Sequence, residues 1–126
     1  MTGNSHRGFT LIEMLVVMAI IATLLTIAVP RYFRSLERSR ETVLRQDLAA
    51  LRESIDKFYG DTGKFPETLT TLVEQHYLRA IPVDPIAKSA EKWVGILADD
   101  AEDHGVKDVR SGAEGTGPGG VPYANW

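Results

Sequence analysis

The stretch "RGFTLIEMLVVMAIIATLLTIAVP", Arg7 to Pro30, decides how this chain is read. From Phe9 to Val29 it is almost continuously apolar, with Glu13 as the exception. As a helix rising about 1.5 Å per residue, that run would be roughly 30 Å long, enough to cross the hydrocarbon core of a bilayer. A secretory signal peptide has a shorter apolar region followed by small residues at a cleavage site. Here Pro30-Arg31-Tyr32-Phe33 follows, so the run predicts a transmembrane helix. Glu13 then needs an explanation. An acid at the centre of a spanning helix costs roughly 2.5–3.5 kcal/mol, and less near one end. Two readings are open. Glu13 is an interfacial residue reaching headgroups, or it has a fixed positive partner. A cut between Gly8 and Phe9 would create such a partner: a new amino group on Phe9, one helical turn from Glu13, in the same helix or a neighbouring one.

The chain has 126 residues, so one small domain at most accompanies the apolar run. Without cysteine, disulfides and thiolate metal sites are excluded. The net charge of −3 is unevenly spread. Residues 30–59 hold seven Lys or Arg against five acids, while residues 60–126 hold six against eleven. An acidic second part argues against sequence-independent binding of nucleic acid phosphates. The basic stretch after the apolar run fits a membrane surface or an acidic neighbour.

"RGFTLIEMLVV" resembles the export signal of type IV pilins and of the pseudopilins of type II secretion. The resemblance implies a leader, residues 1–8, cut after Gly8 by a prepilin peptidase, with Phe9 methylated as the new N-terminal residue. It further implies that Glu13 pairs with the Phe9 amine of an adjacent subunit during assembly. Leader, glycine, Phe-Thr-Leu, glutamate and spanning run together are specific; each alone is weak. One general rule points the other way. Arg31, Arg34, Arg38 and Arg40 follow the run, against Arg7 before it. The positive-inside rule would therefore put the following domain in the cytoplasm. The resemblance places the leader inside and that domain in the periplasm, and its signal is the more specific.

Pro30 lacks an amide donor and is expected to kink or break the helix. Helical periodicity resumes beyond it. Leu44, Leu48, Leu51, Ile55 and Phe58 recur at spacings of four and three, the apolar stripe of an amphipathic helix over 30–59. Glu41–Arg45 and Glu53–Lys57 are spaced as favourable pairs, and Gly60 is suited to cap the helix. In residues 60–126, "ETLTTLVEQHYL" predicts a short second helix. "KWVGILA" and "GVKDVRS" have strand character and are separated by the acidic "DDAEDH". The predicted fold is α+β and pilin-like: a long N-terminal helix whose second half packs on a small antiparallel sheet. "IPVDP", "KDVRSG" and the final "ANW" resemble major pseudopilins in particular.

"DDAEDH" has charge but not the spacing of a calcium loop, and reads as a solvated connection. Major pseudopilins commonly bind calcium in their last loop. Here that loop, "SGAEGTGPGG", holds Glu114 alone, with Asp108 just before it, so these two are weak calcium candidates and no tight calcium site or other cofactor is expected. No GK[ST] follows the glycines, which excludes a phosphate cradle, and His6, His76 and His104 are scattered. No nucleophile, base and orienting acid form a catalytic pattern. The residues therefore read as those of a non-enzyme, and the resemblance implies a single-pass inner-membrane subunit that polymerises to drive protein export. Its partners would be copies of itself, other pseudopilins or minor pilins, an inner-membrane assembly platform, the prepilin peptidase and lipid. The rivals are a type IV pilus subunit serving adhesion, motility or DNA uptake, and a membrane-anchored periplasmic binding module that never polymerises.

Overall fold

A computed structural model describes residues 8–126. Helix α1 spans Leu11–Thr62, and helix α2 spans Leu69–Glu74. Strands β1 (Val94–Leu97) and β2 (Val106–Arg110) follow, then two 3-10 turns at Pro118–Gly120 and Tyr123–Asn125. The chain divides into two units, one ending at Glu37 and the other comprising Arg38–Trp126. The expected α+β, pilin-like fold is what is observed.

In the first unit the side chains from Phe9 to Val29 are all exposed. The Thr23 and Thr26 hydroxyls donate to the carbonyls of Ala19 and Ala22, at 2.8 and 2.7 Å. Their polarity is thereby satisfied inside the helix, as an apolar surrounding requires. Pro30 withholds a donor from the Thr26 carbonyl. Yet α1 continues through Pro30 without interruption, so the helix is not broken there.

The second unit has its own core. Leu44, Leu48, Leu51 and Ile55 form one buried stripe along α1 and meet Leu72, Val106, Val109, Ala113 and Tyr123. Burial of each large aliphatic side chain contributes about 1.5–3 kcal/mol, which holds α2 and β2 against the helix. β1 and β2 pair antiparallel, Val94 opposite Arg110 and Ile96 opposite Asp108, with a bulge between Ile96 and Leu97. Phe58 and Tyr77 meet edge to face at 5.4 Å, and Tyr59 stacks on Phe65 at 4.4 Å.

Two local expectations are corrected. The helix does not end at Gly60; it runs on to Thr62, and Gly63 with φ +76° makes the turn. A positive φ favours glycine, and it is Gly63 that meets this need. Glu53 pairs with Lys57 at 3.3 Å, but Glu41 and Arg45 make no ion pair. Glu41 accepts from the Tyr123 hydroxyl at 2.8 Å, and the Arg45 guanidinium lies over the Trp126 ring at 4.6 Å. Contacts with a distant aromatic pair displace the local one.

Candidate functional site

The candidate site is the start of α1. Thr10 caps the helix: its hydroxyl oxygen accepts from the Glu13 amide at 3.1 Å, while its carbonyl accepts from Met14, also at 3.1 Å. Thr10-Leu11-Ile12-Glu13 thus has the spacing of a capping box, with an acid in the first turn facing the positive end of the helix dipole. The pattern S/T-x-x-E is visible in the sequence. As an acid in the first turn, Glu13 has a favourable local place at the helix start.

Gly8 and Phe9 precede the helix and are exposed; residues 1–7 of the expected leader lie outside the described residues. A Cβ added at Gly8 would meet nothing within 4 Å. Among the described residues, then, no packing demands glycine at that position. Phe9 and Glu13 are four residues apart, about one helical turn. Among the described residues the Glu13 carboxylate has no ion-pair partner. α1 is the one helix among the described residues long and apolar enough to cross a membrane. A contiguous exposed apolar surface of this extent requires lipid or other helices around it.

The weak calcium candidates are Asp108 and Glu114. Asp108 lies in β2, where its Oδ1 accepts from Arg52 Nε at 2.9 Å and from the Val109 amide at 2.8 Å. Glu114 is exposed. Calcium takes six to eight oxygens, several of them carboxylate. Among the described residues no three Asp, Glu or His side chains are grouped to hold a metal. The donor set does not fit calcium.

The acidic loop between the strands is also more than solvated charge. Asp103 accepts from the amides of Phe65 at 2.9 Å and Gly105 at 3.0 Å. These two bonds hold its carboxyl below the usual aspartate range. Sequence reasoning also missed Asp84, which is fully buried and accepts from the amides of Ile86 and Ala87 and from the Ser111 hydroxyl. Nothing in "IPVDP" names a partner 27 residues away.

Residues 3–29 match the model of the prokaryotic N-terminal methylation motif. Type II secretion system core protein G of Klebsiella pneumoniae is 31% identical over 95% of this chain and 90% of its own length. Its namesake in Escherichia coli strain K12 is 30% identical over 65% of this chain and 68% of its own. The type IV major alpha-pilin of Moraxella bovis is 38% identical, but over 56% of this chain and 46% of its own length. No solved structure gives a significant match. The likeness to core protein G runs nearly end to end in both proteins, whereas the pilin match covers about half of each, and the chain belongs to the family of type II secretion system core protein G.

Proposed function

We propose that this chain is the major pseudopilin of a type II secretion system, a structural, non-enzymatic subunit whose polymerisation drives protein export. The observation that carries the reading is the start of α1: Gly8, which no packing among the described residues requires, then Phe9, then Glu13 in the first turn of a helix that is apolar and exposed as far as Val29. In this reading residues 1–8 are the leader. Residues 9–29 anchor the subunit in the inner membrane, residues 30–59 are the amphipathic half of the helix, and residues 60–126 lie in the periplasm. A prepilin peptidase cuts after Gly8, and Phe9 is methylated. Glu13 then pairs with the Phe9 amine of the preceding subunit at an inner-membrane assembly platform. The apolar helix exchanges lipid for the helices of its neighbours, other pseudopilins included. Family membership ranks this above a type IV pilus subunit, and the exposed apolar helix serves either.

Two measurements test it. Intact mass of the membrane-extracted protein should show loss of residues 1–8 and one added methyl group; a mature protein still starting at Met1 beside an active prepilin peptidase contradicts the processing. Since the chain has no cysteine, Val16→Cys with Thr23→Cys allows oxidative crosslinking in membranes without background. A ladder of oligomers is expected. Monomer alone would identify an anchored module that does not polymerise.

A further inference from the structure

Arg52, on α1, directs its guanidinium at three oxygens that are far apart in sequence. Nε donates to Asp108 Oδ1 at 2.9 Å, and one terminal nitrogen donates to the Val109 carbonyl at 3.0 Å and to the backbone oxygen of Trp126 at 2.6 Å. One carboxylate and two backbone oxygens around a central positive charge form the kind of oxygen set that a hard cation gathers. Here a planar, permanently charged fork holds it. The same face of α1 supplies the flanking contacts at helical spacing: Glu41 to the Tyr123 hydroxyl and Arg45 over Trp126, which meets Tyr123 edge to face at 5.0 Å. Gly117 permits the closure, because a Cβ there would run into the Trp126 ring.

We propose that the Arg52 guanidinium is a built-in cation that closes residues 111–126 onto α1, and that this closure takes the place of a bound calcium ion. A divalent ion brought to the same oxygens would have to displace the guanidinium or lie beside it against repulsion. Closure of the last segment therefore does not respond to calcium. This inference rests on the packing of residues 38–126 alone, so it stands or falls separately from filament assembly.

The test is hydrogen–deuterium exchange on the full chain in detergent micelles, comparing residues 111–126 with residues 44–58. Wild type should exchange equally in about 1 mM calcium, a concentration that fills weak extracellular calcium sites, and in EGTA. Arg52→Ala should speed exchange in 111–126 about tenfold or more in both buffers, since bonds from a charged donor are lost. Residues 44–58 should stay protected. Arg52→Lys keeps the charge but loses the fork, and should also speed exchange in the last segment. If Arg52→Ala loses protection in 44–58 as well, the Arg52→Lys result and the wild-type calcium comparison decide. Slower exchange of the wild-type last segment in calcium would overturn the proposal, as would unchanged exchange there in Arg52→Lys.

Discussion

Asp84 shows how much one side chain can hold. Its carboxylate is fully buried, yet it closes its own turn through the Ile86 and Ala87 amides and reaches Ser111 beside the sheet. Removing it leaves two amides and a hydroxyl short of an acceptor, so Asp84→Ala should cost about 3 kcal/mol in chemical denaturation. Asp84→Asn keeps one acceptor oxygen and should cost about half as much; no loss in Asp84→Asn would show that the space filled, not the hydrogen bonds, is what counts. Burial first, and the Asp84 charge second, push the Asp47 carboxyl up from its ordinary value, so Asp47→Asn should be neutral or stabilising at pH 7. Asp103 works in the opposite direction. Its folded carboxyl titrates below the ordinary 3.8, so its contribution is complete above that value and is lost as the pH falls through the folded one. Melting curves of wild type and Asp103→Asn should lie apart at pH 6 and converge below about pH 3.8; curves parallel throughout would remove the charge from the explanation. None of these three roles was legible beforehand. Each depends on a partner brought close by the chain path, and neither the residue types nor their spacing names that partner.

The long helix was legible because its two halves carry strong, different patterns. A continuous apolar run needs no tertiary information to be read, and the stripe from Leu44 to Ile55 follows helical spacing and is the buried stripe of the core. The two strands were placed within a residue or two by their β-branched content. The helix end was not, because two glycines compete for the cap. Gly60 stays helical, with nothing within 4 Å of an added Cβ, while Gly63 takes the positive φ. Alanine at the two positions should therefore act oppositely. Gly60→Ala should stabilise by up to about 1 kcal/mol through helix propensity, and Gly63→Ala should destabilise by about 1 kcal/mol through strain. Thermal melts of both variants decide the matter, and the reverse order would put the cap back at Gly60. The closing segment 111–126 was the least legible element. Its glycines and turns carry no periodicity, and what fixes it is the polar face of another element: Glu41, Arg45 and Arg52.

At the scale of the whole molecule, the central claim is that Glu13 is a docking charge between subunits. Its place in the first turn of α1, beside a Thr10 cap that does not use its carboxylate, leaves that carboxylate available to a neighbour. Thr10→Ala should weaken the helix start by about 1 kcal/mol and spare assembly, which separates capping from docking. In Glu13→Gln the capping geometry and Gly8 are kept, insertion becomes easier, and the charge is gone. Removing one partner of a buried ion pair leaves the other uncompensated, a loss of roughly 3–5 kcal/mol. The decisive measurement is filament yield by shearing and electron microscopy for Glu13→Gln, taken beside the intact mass that reports processing. The account predicts a protein cut after Gly8 that forms no filaments unless mixed with wild type. Full assembly of a processed Glu13→Gln protein would contradict it.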